Sequence, residues 1–154
     1  MQRHEGLIAL SKQHHDALIL AQLIKKNAPP YKGLPTDTKG KRKYTLEKFK
    51  EHLVPHFEAE ELILIPFILG KDKKIDKLCS EILSEHQKIA DIVEEIRIEK
   101  DVEDKLNELG KLLFSHIRKE ERKLFQRVQD ILPDEKLTKL GNELSHLNKS
   151  ISCR

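Results

Sequence analysis

Two nine-residue segments of the sequence carry the same arrangement of histidine and glutamate. HFEAEELIL begins at His56 and HIRKEERKL begins at His116, and both read H-x-x-x-E-E-x-x-L. Residues four apart lie on one face of an α-helix, so each histidine shares a face with the first glutamate of its segment, Glu60 or Glu120. An imidazole beside a carboxylate is a ligand pair for iron, manganese or zinc. The spacing alone is weak evidence, because eight histidines and 26 acidic residues produce about as many pairs by chance.

The residues one and two helical turns from these histidines are apolar. They are Phe49, Leu53, Ile63 and Phe67 around His56, and Leu109, Leu112, Leu113 and Leu124 around His116. Apolar residues at intervals of three, four and seven mark the buried face of an amphipathic helix. Both histidines are therefore predicted to point into the core.

Two more histidines occupy equivalent positions on other helices. The apolar residues around them are Ile75, Leu78, Cys79, Ile82, Ile89, Ala90, Val93 and Ile96 for His86, and Leu7, Leu10, Ala17, Leu18, Ala21 and Ile24 for His14. His15 lies about 100° around the helix from His14. It remains the alternate to His14, because a different rotation of the helix would turn it inward. Four helices thus each aim one histidine inward.

Any one of these histidines alone is best explained as a core residue that a neighbour hydrogen-bonds. Two carboxylates in an apolar core cost several kcal/mol each unless they are paired, and these faces contain no lysine or arginine. A pair of metal ions supplies the positive charge. The predicted ligands are His14 (or His15), His56, Glu60, His86, His116 and Glu120, with the glutamates bridging. We expect Glu61 and Glu121 to be exposed, and Cys79 to be core packing.

The elements that must position these ligands are long helices. Apolar periodicity predicts helices over residues 3–27, 45–69, 72–100 and 102–132, with a short fifth helix over 134–148. Thr45 is the expected N-cap of the second helix, and Pro55 and Pro66 predict kinks within it. Residues 29–44 are predicted to be a basic loop. The fold class is therefore all-α, a single domain over 1–154 with an up-down-up-down four-helix bundle and a fifth helix.

Composition narrows the class of protein. The net charge of +3 is too small to indicate nucleic-acid binding. No apolar run approaches the length of a membrane span, and no signal peptide is evident. Two cysteines, Cys79 and Cys153, do not make a disulfide framework and suit a reducing compartment. We expect a cytoplasmic protein that acts neither on membranes nor on nucleic acids.

The ligand pattern over the four helices resembles the hemerythrin-like, HHE cation-binding domain, in its bacterial single-domain form. The matching pieces are a histidine on the first helix, HFEAE on the second, EHQ on the third and HIRKE on the fourth, followed by LILIPF and KLFQRV. The opening RHEGLIALSKQHHDAL is also similar to that of many bacterial members. The resemblance implies two non-haem iron ions with an oxo or hydroxo bridge, although other divalent metals fit the ligands. Glu60 and Glu120 would bridge the ions.

One position departs from the oxygen-carrying members of that family. They place a second histidine four residues after the first on the third helix, where this sequence has Ala90, and an aspartate late on the fourth, where it has Glu120. The departure argues against reversible oxygen transport. The leading expectation is a protein that binds or senses oxygen, nitric oxide or peroxide. A di-iron oxidase, peroxidase or nitric-oxide-handling enzyme is the alternative, ahead of a bundle that holds a structural zinc. A ferritin-like oxidase fits poorly, because it uses E-x-x-H.

Overall fold

The computed structural model describes residues 2–152, and the side chains of residues 2–147. Five helices occur in that range: α1 (Glu5–Leu23), α2 (38–68), α3 (Lys73–Ile98), α4 (103–131) and α5 (Asp134–Ser152). No strand is found among the described residues, and the all-α bundle is confirmed. None of these helices is long and apolar enough to cross a membrane. Cys153 lies outside the described residues.

Local capping sets the start of α1, and a turn sets its end. The imidazole of His4 accepts a hydrogen bond from the Gly6 amide at 2.9 Å, which satisfies one free N–H of the first turn. The helix ends at Leu23 rather than near Asn27. Asn27 takes the left-handed conformation with φ 63°, which asparagine tolerates better than most residues and which an α-helix cannot contain.

The second helix begins at Thr38, seven residues before the predicted Thr45. The Asp37 carboxylate accepts a hydrogen bond from the Gly40 amide at 3.0 Å and so caps the helix. Thr45 is buried inside the helix, where its hydroxyl donates to the Lys41 carbonyl at 2.8 Å. A threonine hydroxyl can bond either in a cap or back to the preceding turn, so its presence did not identify the cap. Residues 38–44 of the predicted basic loop are therefore helical.

Three wide π turns interrupt the regular winding. They span Phe49–Leu53 and Glu60–Leu64 in α2, and Glu120–Leu124 in α4. Pro55 and Pro66 follow the two turns in α2, and a wide turn accommodates a residue that has no amide hydrogen to donate. The irregularity expected from the prolines thus takes the form of π turns within a continuous helix. The turn in α4 forms without a proline.

The π turns change which apolar residues are buried. Each adds one residue to a turn and so rotates the following residues by about 100° relative to a regular helix. After Glu60 the buried side chains of α2 are Leu64, Ile65 and Ile68, whereas the predicted Ile63 and Phe67 are only partly buried. The predicted phase is wrong beyond this point, because it assumed uniform winding.

The core consists of two apolar clusters with a polar layer between them. One cluster contains Leu7, Ile82 and Phe125 and extends under α5. The other contains Leu20 and Ile89 and fills the opposite half of the bundle. The four buried histidines and two buried glutamates belong to neither cluster. The bundle therefore encloses a charged layer within apolar walls.

Glycines let α5 pack closely against α1. A Cβ on Gly141 would lie 2.8 Å from the Gly6 Cα atom, and a Cβ on Gly6 would lie 2.0 Å from the Leu137 carbonyl oxygen. Both contacts are with backbone, which cannot rotate out of the way. The small residues thus set the separation of these helices, and with it the position of α1 in the bundle.

We expect Gly6→Ala to lower the free energy of unfolding by about 1–3 kcal/mol, because α1 and α5 must separate to admit the methyl group. Chemical denaturation measures this change. The exposed Ala9 lies on the same helix, and Ala9→Ser should change the value by less than about 0.5 kcal/mol. An unchanged stability for Gly6→Ala would show that the helices do not approach this closely.

Candidate metal centre

The bundle brings the six inward-facing residues of the sequence analysis into one buried layer. They are His14 on α1, His56 and Glu60 on α2, His86 on α3, and His116 and Glu120 on α4, each at most 5% exposed. The alternate, His15, is exposed and belongs to neither group of residues that could hold a metal ion. The tertiary structure thus distinguishes two adjacent histidines that the sequence left open.

Each glutamate lies between two histidines that come from different helices. In all four histidines the Nε2 atom faces the centre of the layer. The Nε2–carboxylate oxygen distances are 3.4 Å for His56–Glu60, 3.0 Å for His86–Glu60, 3.3 Å for His14–Glu120 and 2.6 Å for His116–Glu120. The two carboxylates therefore connect all four helices of the bundle.

The layer contains buried polar atoms that the protein leaves without hydrogen bonds. Among the described side chains they include the Nε2 atoms of His14, His56 and His116, one oxygen of Glu60 and both oxygens of Glu120. Such atoms cost about 1–3 kcal/mol each when they have no partner. A core that lacked another bonding partner would not retain them.

The side chains of the layer form two overlapping groups with the geometry of metal ligands. One group is His14, His56, Glu60 and Glu120, the other is Glu60, His86, His116 and Glu120, and the ligand atoms within each lie within 4.8 Å of one another. Opposite ligands on one ion lie about 4.2 Å apart when each bond is about 2.1 Å. Small side-chain movements would therefore close each group around an ion. Since both groups share the glutamates, the residues fit a pair of metal ions.

Each histidine is held from behind through its Nδ1 atom. The partners are Glu121 for His14 at 2.6 Å, Gln13 for His56 at 2.6 Å, Glu61 for His86 at 2.9 Å and Glu85 for His116 at 2.8 Å. A neutral imidazole that donates from Nδ1 keeps its lone pair on Nε2, the atom that faces the centre. The outer partners thus fix the orientation and the tautomer that metal binding requires.

The expectation for Glu61 and Glu121 is wrong in part. Glu61 is exposed as predicted, but its carboxylate bonds His86, and Glu121 is only partly exposed and bonds His14. Each histidine from α1 or α3 therefore has both ring nitrogens facing one Glu-Glu pair. Both contacts are made with a neighbouring helix, and the periodicity of a single helix does not predict them.

Basic residues neutralise two of the outer carboxylates. Arg3 donates to the Glu121 carboxylate at 2.7 Å and to its carbonyl oxygen at 2.8 Å. Lys119 donates to Glu85. Burial raises the pKa of Glu85 and Glu121, but hydrogen bonds from His116 and Lys119 in one case and His14 in the other outweigh it, and both pKa values are held at about 2. Both carboxylates are therefore ionised at neutral pH.

The central groups shift each other's protonation. Burial raises the pKa of Glu60, but the charge of His56 and the hydrogen bond with His86 outweigh it and hold the pKa far below its usual range. Burial lowers the pKa of His86, yet Glu60 and Glu61 raise it above the ordinary value. Burial also lowers the pKa of His116. Without a metal ion, a proton on His86 is thus the favoured charge partner of Glu60.

The remaining candidates lie outside the layer. His52 lies one turn before His56, is exposed, and has its Nε2 atom 3.5 Å from the Lys48 ammonium. Cys79 packs in an apolar cluster, and burial raises its pKa to about 11, so its thiol stays protonated. Sequence reasoning missed Gln13 and Glu85, which directly precede His14 and His86. The signal that would have found them is a hydrogen-bonding residue next to each of these two ligand histidines.

Comparison with known proteins identifies one family. The model of the hemerythrin HHE cation-binding domain matches residues 5–128, which include all six central residues. Neither the curated proteins nor the solved structures contain a match to this chain.

The buried carboxylates lead to a prediction for the metal-free protein. Replacing Glu120 with an apolar side chain of similar length, as in Glu120→Met, should raise the free energy of unfolding by about 1–3 kcal/mol, because it removes two buried oxygens that have no hydrogen-bond partner. Denaturation in the presence of a chelator measures this. The exposed Glu108 is the control, and Glu108→Met should change the stability by less than about 0.5 kcal/mol. A loss of stability in Glu120→Met would mean that the layer is a self-sufficient ion-pair network.

Proposed function

Because this chain belongs to the hemerythrin HHE cation-binding family, we propose that it holds two iron ions and uses them to bind or sense oxygen or a related small molecule such as nitric oxide or peroxide. The observation that carries the proposal is the pair of buried His/Glu groups that share Glu60 and Glu120. Two ions that share two ligands lie close enough to act on one small molecule.

The two groups assign ligands to each ion. His14 and His56 would hold one ion, and His86 and His116 would hold the other. Glu60 and Glu120 would be shared, each giving one oxygen to each ion. The carboxylates then carry two negative charges against the positive charge of the metal pair, which replaces the proton on His86 as their partner.

Iron suits this donor set and its surroundings. Nitrogen and oxygen donors without thiolates favour iron or manganese, and zinc is also accepted. An iron pair in this position supplies redox-active centres at which a small oxidising molecule can bind. Each group offers four protein ligands, which is fewer than an octahedral ion accepts. The apolar clusters on both sides exclude water and leave the remaining positions to small molecules.

A second function is supported by the third helix. Ala90 stands one turn after His86, where an additional histidine would complete the ligand set of one ion. An ion with more open positions favours turnover over reversible binding, so a di-iron oxidase, peroxidase or nitric-oxide-handling enzyme is the alternative. A reducing compartment such as the cytoplasm suits the free thiol of Cys79.

One experiment separates these functions. The protein is purified without oxygen, its metal content is measured, and its absorption spectrum is followed on addition of oxygen, nitric oxide or peroxide. About two irons per chain and a spectrum that recovers when the ligand is removed support binding or sensing. Continuous consumption of the oxidant supports the enzyme. One zinc per chain and no spectral change contradict both.

Substitutions of paired glutamates test the ligand assignment. We expect Glu60→Ala and Glu120→Ala to lose the metal pair, because each removes a ligand of both ions. Glu61→Ala should retain the site with about 10–100-fold weaker affinity, since it removes only the hydrogen bond that orients His86. Metal titration measures both effects. His15→Ala is the control and should bind like the unchanged protein, whereas loss of metal in that variant would reverse the choice between His14 and His15.

The raised pKa of His86 leads to opposite pH dependences for the two forms of the protein. Protonated His86 stabilises the metal-free fold fully below the ordinary imidazole pKa of about 6.5, and this contribution is lost as the pH rises through the raised value. Metal binding needs neutral imidazole and so strengthens over the same range. The difference in Tm between metal-loaded and metal-free protein should therefore grow from about pH 6 to about pH 8. A constant difference would exclude this competition between proton and metal.

A further inference from the structure

A surface cleft between α2 and α3 reaches one side of the metal layer. Its volume is about 440 Å³, and His86 forms part of its wall. The rest of the wall is mixed, with apolar residues such as Val54, Leu62 and Leu83 beside polar ones such as Glu58 and Gln87. Leu62 and Leu83 are 62% and 41% exposed, so the cleft has an apolar mouth that is open to solvent.

The cavity on the opposite side of α2 is much smaller. The cavity beside His56 there has a volume of about 10 Å³, which holds no more than about one water molecule. The ring of Phe125 on α4 stacks over His14 on α1, with 5.6 Å between the ring centres. The His14 and His56 side of the layer is thus covered, whereas the His86 side adjoins the cleft.

Ala90 accounts for part of the open space. It lies one helical turn after His86 and lines the same cleft, partly buried. A longer side chain at this position would extend into the cleft, since packed protein interiors leave few voids larger than a water molecule. Ala90, which stands where a histidine would add a ligand, therefore also leaves open space beside the site.

Phe57 separates the cleft from the centre of the layer. Its ring lines the cleft and stacks on His86, with 3.9 Å between ring centres and 18° between planes. The same ring lies 5.7 Å from His116 and 6.1 Å from His56. A molecule in the cleft can therefore contact His86, and one aromatic ring separates it from His56 and His116.

The charges of the cleft favour uncharged molecules. Glu58 and Glu61 both line it, and none of the described residues in its wall is a lysine or arginine. Two carboxylates near an apolar entrance repel anions and leave uncharged molecules unaffected.

We propose that small uncharged oxidants, such as oxygen or nitric oxide, reach the metal pair through this cleft on the His86 side, and that its carboxylates disfavour anions. The inference rests on the proposed iron pair. It assigns Ala90 as the residue that keeps the route open and Phe57 as the barrier at its inner end.

Filling the cleft tests the route. Ala90→Leu is loaded with ferrous iron without oxygen, its metal content is measured, and the rate of the absorbance change on rapid mixing with nitric oxide is recorded. We expect the metal content to stay unchanged and the rate of the absorbance change to fall at least about tenfold, because the added side chain occupies the path. Ala9→Leu makes the same chemical change on an exposed surface and should leave the rate unchanged. Equal rates in the two variants would overturn the proposal.

A second measurement does not depend on iron. Dissolved oxygen is paramagnetic, so it speeds the NMR relaxation of the methyl groups that it approaches. In the zinc-loaded protein, we expect the strongest effect at Val54, Leu62 and Leu83, and a weaker effect at Leu20 beside His56. Ala90→Leu should reduce the effect at Val54. An equal effect at Leu20 and Val54 would contradict a route through the cleft.

The carboxylates are tested with an anion. Glu58→Gln should increase the rate at which azide changes the iron spectrum several-fold and leave the nitric oxide rate unchanged. Glu51→Gln, an exposed residue on the same helix outside the cleft, is the control and should change neither rate. An azide rate that does not respond to Glu58→Gln overturns the charge selection.

These outcomes distinguish the two proposals. A protein without bound iron contradicts the proposed function, whatever the oxygen relaxation measurement shows. If the protein holds about two irons and Ala90→Leu leaves the nitric oxide rate unchanged, the proposed function stands and the route is contradicted.

Discussion

Two carboxylates at the centre of an apolar bundle are the constraint on which the rest of this structure depends. Glu60 and Glu120 are fully buried, and several of their oxygens have no hydrogen-bond partner among the described residues. Their charge must be balanced within a few ångströms, and the imidazoles of four different helices face them. A metal pair would balance it best. The site and the bundle are thus one structure, because the groups that hold the charge also join the helices.

The two halves of the site repeat one arrangement. On α2 and α4, the segment H-x-x-x-E-E supplies one buried histidine, one buried glutamate and a second glutamate that reaches a neighbouring helix. On α1, Gln13 directly precedes His14 and bonds His56. On α3, Glu85 directly precedes His86 and bonds His116. The two H-x-x-x-E-E segments therefore supply only part of the site, and one pair of adjacent residues on each of α1 and α3 supplies the rest.

The symmetry ends at the surface of the protein. Each group offers two histidines and the same two glutamates, so their residues do not distinguish the two groups. The surroundings do, because a cleft reaches His86 while Phe125 covers His14. The outer partners differ as well: a neutral amide bonds His56, whereas carboxylates bond the other three. The two groups therefore differ in access and in outer partners although they offer the same residue types.

The sequence by itself determined the helical fold, because its apolar periodicity is strong and the helices need long buried faces. It also determined the six inward-facing residues, since an imidazole or carboxylate in an apolar stripe is costly without a partner. Only the tertiary structure distinguished His14 from His15, because a rotation of about 100° depends on how α1 packs against its neighbours. It also decided the winding beyond Glu60 and the partners of Glu61 and Glu121, which are contacts between helices. Periodicity within one helix carries no information about the helix beside it.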